Sequence, residues 1–172
     1  MATANTFVQI GSTVTVGSGG AATIDFNSIP ATYTDLTILI SSRCDQTGVA
    51  PVLGKINFNG SSTTYTYMRV YGDGSSTASS SGSAAYFDNV TGSTATASTF
   101  GNDAIYIPNY AGSNYKSYSV DTVLENNGST AHTAFYCGLW SNTAAITSIS
   151  LYPGTGNYVQ YTTASLYGIL KY

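Results

Sequence analysis

The apolar residues of this chain alternate, and no stretch sustains the 3.6-residue repeat of a helix. Asp35–Arg43 carries the pattern most clearly. Leu36, Ile38 and Ile40 point one way, and Asp35, Thr37, Ser41 and Arg43 point the other. A period of two is the mark of a half-buried strand. Leu39 breaks the polar side, which is expected where that face is itself partly covered. The helix formers Glu and Lys are nearly absent, while Thr, Val, Ile and Tyr dominate; these residues suit a pleated, half-packed surface.

Short runs of this kind recur between clusters of Gly, Asn, Asp, Pro and Ser. Strands are expected at Thr6–Ile10, Thr13–Val16, Ala22–Phe26, Asp35–Arg43, Gly54–Phe58 and Thr63–Tyr71, then at Ala104–Pro108 and Lys116–Leu124. In Lys116–Leu124 the side chains of Tyr118, Val120, Thr122 and Leu124 share a face. Thr133, Phe135, Cys137 and Leu139 alternate with His132, Tyr136 and Trp140, and Ile146–Tyr152 and Ala164–Leu170 finish the chain. Asn59-Gly60 between two such runs predicts a hairpin, and Asn126-Asn127-Gly128 predicts a further turn. Ten or more short strands without helices, in 172 residues, predict one all-β domain over residues 1–172. Its expected form is a two-sheet antiparallel β-sandwich of jelly-roll type with long Gly/Ser-rich loops.

Gly72–Ser83, GDGSSTASSSGS, is low in complexity and has nothing to fill a core. It reads as a long exposed loop, or as an arm ordered only by a neighbour. Gly92–Thr99 reads similarly.

Charge narrows the function. Charged residues make up 8% of the chain, against about 25% in an ordinary domain. Fifteen Tyr and 18 Gly stand in their place, and the net charge is −3. Five basic residues neutralise too few phosphates for nucleic-acid binding, and the same shortage argues against an anionic membrane surface. Disorder fails on the other side, because 42% hydrophobic and 13% aromatic residues are too many for a solvated coil. No apolar run approaches the ~20 residues that span a bilayer, and the start MATANTFVQI has no leader pattern. Cytoplasmic synthesis, or export by a route the sequence does not show, is therefore expected, the first being favoured. Cytoplasmic synthesis makes a Cys44–Cys137 bridge the less favoured state of the two thiols. Asn59, Asn89 and Asn127 begin Asn-x-Ser/Thr sequons, which read here as turn signals.

Catalytic chemistry finds little to work with. His132 is the only histidine, so any Ser–His–Asp arrangement has to use it. There is no Gly-x-Ser-x-Gly elbow, and His132 reads as an exposed residue at a strand edge. The acidic residues are scattered singly at strand ends and turns, with no pair for sugar hydrolysis. Asp73 between glycines, with Asp88 nearby, has too few oxygens for calcium, and two cysteines with one histidine do not complete a structural zinc site. No enzymatic activity, cofactor or metal is expected.

The most suggestive stripe is Tyr65, Tyr67, Arg69 and Tyr71. Strand alternation puts all four on one face and Thr64, Thr66, Met68 and Val70 on the other. Phenols and guanidinium are enriched at protein interfaces, which makes these four the candidate interaction surface. A cross-strand ladder that covers the sheet and a platform for sugar rings are the alternatives.

Two segments resemble a group of tailed-phage virion proteins, many of them from marine and cyanobacterial phages. They are Thr23–Ile40, TIDFNSIPATYTDLTILI, and Ser148–Leu170, SISLYPGTGNYVQYTTASLYGIL. The first matches a short strand, Ser-Ile-Pro, then Tyr-Thr-Asp-Leu and a hydrophobic strand. The second matches a Gly/Asn-rich turn running into a last strand that ends Leu-Tyr-Gly-Ile. The resemblance implies a jelly-roll-like module on the outer surface of a virion. In that setting it is a head decoration (cement) protein bound to the major capsid protein, or a tail-fibre or tail-tip module that grips host glycans. The matching motifs look structural and bring no catalytic residues. Decoration proteins of this kind imply a closed homo-oligomer, with a trimer expected. In the tail reading, Tyr65, Tyr67, Tyr71 and Trp140 would stack on sugars.

Overall fold

A computed structural model describes residues 6–48, 52–87, 90–128 and 131–170. Among them the chain is all-β. Its strands are β1 (Phe7–Thr15), β2 (Ile24–Phe26), β3 (Asp35–Ser42), β4 (Lys55–Phe58), β5 (Tyr65–Gly72) and β6 (Thr77–Gly82). They continue with β7 (Gly101–Ile107), β8 (Lys116–Leu124), β9 (His132–Trp140), β10 (Ile149–Tyr152) and β11 (Thr163–Ile169). Eight strands make one large antiparallel sheet in the order β1-β11-β3-β7-β8-β9-β5-β6, and three make a small one, β2-β10-β4. The strands thus divide unequally, eight to three.

The small sheet lies against one face of the large one, and the core fills the space between. Ile24, Phe26, Ile56, Phe58, Ile149 and Leu151 of the small sheet share one cluster with Leu36, Ile38, Ile40, Ile105, Val120, Tyr136 and Leu166 of the large sheet. Phe58 is the hub. Its ring meets Tyr118 at 5.6 Å, Trp140 at 5.7 Å and Tyr65 at 6.0 Å. Trp140, Tyr110, Tyr136, Tyr158, Phe58 and Phe87 are the largest fully buried side chains; burying a ring of this size is worth about 1.5–3 kcal/mol.

Alternation along each strand follows from this layering. In β3, Leu36, Ile38 and Ile40 are buried. In β8 the buried row is Lys116, Tyr118, Val120, Thr122 and Leu124. The two segments Thr23–Ile40 and Ser148–Leu170 pair with each other twice, β2 on β10 in the small sheet and β3 on β11 in the large one. Tyr33 lies flat on Gly168, where an added Cβ would stand inside the ring's van der Waals surface. Thr34 N–H donates to the Ile169 carbonyl at 2.8 Å. Asp35 receives the Asn109 N–H at 2.9 Å and the Tyr106 hydroxyl at 2.8 Å.

Four local expectations change. The two opening runs are one strand, β1, whose register with β11 shifts between Ile10 and Val14. Gly11 at φ +72° lets the chain bulge there without breaking the pairing. The Asn59-Gly60 turn forms, with φ of 52° and 70° and Ser61 N–H donating to the Phe58 carbonyl at 2.9 Å. It does not make a hairpin of its flanks, because β4 pairs with β10 and β5 pairs with β9 and β6. Asn59 explains the diversion: its side-chain oxygen accepts from Thr147 N–H at 2.8 Å and Ser148 N–H at 3.1 Å, and its amide donates to the Ala145 carbonyl at 2.8 Å. The turn is thereby tied to the approach to β10 and commits β4 to the small sheet.

Residues 72–83 are not a loop. They close a hairpin and supply β6, the edge strand beside β5. The Asp73 carboxylate caps its turn, accepting from the N–H of Ser75 at 2.9 Å and of Ser76 at 2.7 Å; these bonds hold its pKa far below the usual carboxylate range. Residues 92–99 are also held in place. The Arg43 guanidinium donates to the carbonyls of Ser93, Ala95, Thr96 and Thr99 at 2.9–3.1 Å, so the loop wraps a cation.

Candidate functional site

The tyrosine stripe lies on β5, and the structure assigns its two faces. Tyr65, Tyr67, Arg69 and Tyr71 point to the side that carries the core; Thr66, Met68 and Val70 point away and are exposed. Tyr65 is only 3% exposed. Its ring stacks on Trp140 at 6.2 Å, its hydroxyl accepts the Phe58 N–H at 2.8 Å, and burial pushes its pKa well up. Tyr67 is half-buried between Tyr136, stacked at 5.2 Å, and Tyr86, edge-on at 5.4 Å. Arg69 donates to the Ser80 hydroxyl at 2.8 Å and lies 4.6 Å over the Tyr71 ring, which itself stacks on His132 at 5.3 Å. The four residues therefore form a cross-strand ladder along the inner face. Of the four rings in the sugar-stacking set, Tyr65 and Trp140 are buried against each other.

His132 is a correction. It is 6% exposed, buried under Tyr71, and not an exposed edge residue. The two apolar-rich rows of β9 are alike in sequence, and the inward one proves to be His132, Ala134, Tyr136, Gly138 and Trp140. Gly138 leaves the room that the Tyr118 ring fills.

The reversal places the other row of β9 outside. Phe135 is 56% exposed and Cys137 is exposed. Their neighbours in register are Val70 and Met68 on β5, and Asp121 and Ser119 on β8. Met68 at 65%, Val70 at 58% and Val123 at 43% exposure extend the strip. Met68, Val70, Phe135 and Cys137, with Ser79 and Ser81 of β6, line a shallow groove of about 360 Å³. Farther along the same face stand Leu39 and Tyr106, also exposed. The hydrogen bond to Asp35 raises the Tyr106 pKa, because an ionised phenol beside a carboxylate is disfavoured.

Charge is nearly absent from this outer face. Among the described strand residues of the large sheet that point to this face, Asp35 and Asp121 are the charged ones, and none is Lys or Arg. Two of the few cations serve inside the fold: Arg43 in its loop, and Lys116, whose ammonium donates to the carbonyls of Gly112 at 2.7 Å and Asn114 at 2.5 Å. Burial lowers the Lys116 pKa.

The exposed strip is the feature that sequence reasoning missed, although Leu39 on the otherwise polar side of β3 was its signal. Cys44 is buried and Cys137 exposed, and both are free thiols; burial raises the Cys44 pKa. Among the described residues no group of three or more His, Cys, Asp and Glu side chains is placed to hold a metal ion, and Asp88 lies outside the described residues. Among the described residues no helix is long and apolar enough to cross a membrane. No protein-family model matches the chain, and neither a curated protein nor a solved structure matches it.

Proposed function

We propose that this chain is a virion structural protein, a capsid decoration protein of jelly-roll type that docks on the assembled major-capsid shell through the outer face of its eight-stranded sheet. One observation carries the reading: that face presents Met68, Val70, Val123 and Phe135 to solvent in adjacent rows, and no Lys or Arg points outward among its described strand residues. Isolated apolar residues on a surface are ordinary, but a contiguous strip marks a docking site. Leu39, Met68, Val70, Tyr106, Val123 and Phe135 are 39–65% exposed on this one face. Phe135 and Met68 are its largest exposed apolar side chains on β9 and β5, with Val70 and Cys137 between them and Ser81 beside Met68.

The resemblance of Thr23–Ile40 and Ser148–Leu170 to tailed-phage virion proteins supports the same reading, and the two segments serve as paired strands in both sheets. Mechanism is thermodynamic. A protein that binds the assembled shell and not its free subunits stabilises the shell by mass action. With shape and apolar burial in place of charge, the binding should depend weakly on salt.

The test is co-sedimentation with expanded empty capsids, comparing the parent with Phe135→Ser, which alters an exposed side chain. The parent is expected to pellet with shells at low and high salt, the variant to bind at least about tenfold more weakly, and Cys137 to lose thiol reactivity in the complex. A parent that stays in the supernatant, or a variant that binds equally well, overturns the proposal. Binding to a glycan array with none to capsids would move the protein to the tail.

A further inference from the structure

The large sheet ends on β6, and β6 is the one sheet edge left unguarded among the described residues. Edge strands carry unpaired N–H and C=O groups, and proteins blunt them with bulges, charges, proline or short length. Each of the other edges shows such a device. At the far side of the large sheet, β1 bulges at Gly11, with the Gln9 amide bonded to the Thr13 hydroxyl across the irregularity at 3.0 Å. In the small sheet, β2 is three residues long and carries the exposed Asp25. The outer side of β4 is closed by residues 85–87, through Ile56 N–H to the Ala85 carbonyl at 3.1 Å and Phe87 N–H to the Gly54 carbonyl at 2.9 Å. By contrast β6, TASSSG, is six residues long, regular in register with β5, free of charge and proline, and exposed along nearly its whole length.

The hydrogen bonds identify which groups are open. Asp73 N–H donates to the Ser76 carbonyl at 3.2 Å. Alternation from that pair makes Tyr71–Ala78, Arg69–Ser80 and Tyr67–Gly82 the bonded pairs of the β5–β6 ladder. On the other side of β5, Ser141 N–H donates to the Thr64 carbonyl at 2.9 Å, which gives the complementary parity. The backbone groups of Thr77, Ser79 and Ser81 therefore point away from the sheet.

We infer that β6 is a strand-addition edge whose occupant is β6 of a second copy of this chain, paired antiparallel about a twofold axis at Ser79. In that register Ser79 faces Ser79 of the second copy, and Thr77 and Ser81 face each other in both directions. Three bonded pairs exchange six backbone hydrogen bonds. The side chains along the contact are Thr, Ala, Ser and Gly, small enough to let the strands close to ladder spacing, and no like charges meet. Asp121, the charge within the outward apolar strip, stands three strands back from the edge, so edge pairing keeps the two copies' carboxylates apart where face-to-face packing would not. The paired sheets form one continuous surface, and the outward strips of Met68, Val70 and Phe135 lie on the same side of it. A contact of six bonds without a large apolar area makes a reversible dimer that depends on concentration. The association is twofold, in place of the threefold closure expected from sequence, and does not depend on the capsid reading.

Sedimentation of the isolated chain over a concentration series tests it. The parent is expected to move from 17.9 kDa to twice that mass as concentration rises. Ser79→Pro removes an outward N–H, which an edge strand tolerates, and should raise the dissociation constant by more than about tenfold. Ser79→Lys sets like charges opposite each other and should be monomeric, whereas a mixture of S79K and S79D should recover the dimer as a mixed pair. Silence of the buried Cys44 towards a thiol reagent verifies that each variant is folded. A parent that is monomeric throughout, a trimer, a dimer that survives both Ser79→Pro and Ser79→Lys, or an S79K/S79D mixture that stays monomeric overturns the inference.

Discussion

Replacing Arg43 tests whether one cation organises the Ser/Thr-rich loop after Thr91. The guanidinium makes five hydrogen bonds to residues 93–99: Nη1 to the Thr96 and Thr99 carbonyls, both at 2.9 Å, and to the Thr99 hydroxyl at 3.3 Å; Nη2 to the carbonyls of Ser93 at 3.1 Å and Ala95 at 3.0 Å. The bonds to Ser93 and Thr96 are exposed, and water can take them over in Arg43→Ala. Those to the Ala95 and Thr99 carbonyls are partly buried, the Thr99 hydroxyl sharing an Nη1 hydrogen, and at about 1.5 kcal/mol for each bond from a charged donor they sum to roughly 3 kcal/mol. For a chain of this length, each kcal/mol moves the melting temperature by about 2–4 °C, so a fall of roughly 6–12 °C is expected. Arg43→Lys keeps the charge but replaces a planar fork by a point, and should recover less than half of the loss. Thermal melting gives the total. Hydrogen exchange locates it, since the amides of residues 92–99 should exchange faster in the alanine variant while those of β8 and β9 stay protected. An Arg43→Ala protein that melts within about 2 °C of the parent, with unchanged exchange in that loop, would falsify the staple.

Two other perturbations probe the core. Gly138→Ala drives a methyl into the Tyr118 ring, which is held by Phe58 and by its hydroxyl's bond to the Tyr86 carbonyl at 3.2 Å. A loss of about 2–4 kcal/mol in urea unfolding is expected, and it should shrink in a Tyr118→Leu background; additive losses would refute direct contact. Burial raises the pKa of Tyr65, Tyr118 and Tyr158. A raised folded-state pKa leaves stability intact below the unfolded phenol value of about 10 and erodes it above, as the unfolded chain ionises. Phenolate absorbance should therefore show these three ionising only together with loss of near-UV circular dichroism. Complete titration of all 15 tyrosines with the native spectrum retained would contradict their burial.

Much of the architecture was legible in the residues. The alternation of Leu36, Ile38 and Ile40 and of Tyr118, Val120, Thr122 and Leu124 named the inner rows of β3 and β8, because each of those strands has one row visibly more apolar than the other. On β5 and β9 that contrast fails. Tyr65, Tyr67 and Tyr71 face Met68 and Val70, and Tyr136 and Trp140 face Phe135 and Leu139. Either row could be the inner one, and the residues alone do not choose between an interaction surface and a cross-strand ladder for Tyr65, Tyr67, Arg69 and Tyr71. Residues 72–83 read as a loop for a related reason. Ser, Thr and Gly carry no apolar pattern, so nothing local distinguishes a solvated loop from an edge strand that is held by backbone bonds and a capping aspartate.

The sequence by itself determined that the chain is all-β, where most strands begin and end, and which residues share a row, because the two-residue period of an extended chain is a local property. It also determined that any partner must be met with little charge. Only the tertiary structure decided which row of β5 and β9 faces inward, since that choice depends on where Phe58 and the small sheet come to rest. It likewise decided that Asn59-Gly60 leads from one sheet to the other and that the Ser-rich segment ends the large one. Those choices rest on contacts between residues far apart in the chain, such as Asn59 with Thr147 and Phe58 with Trp140, and local alternation carries no record of them.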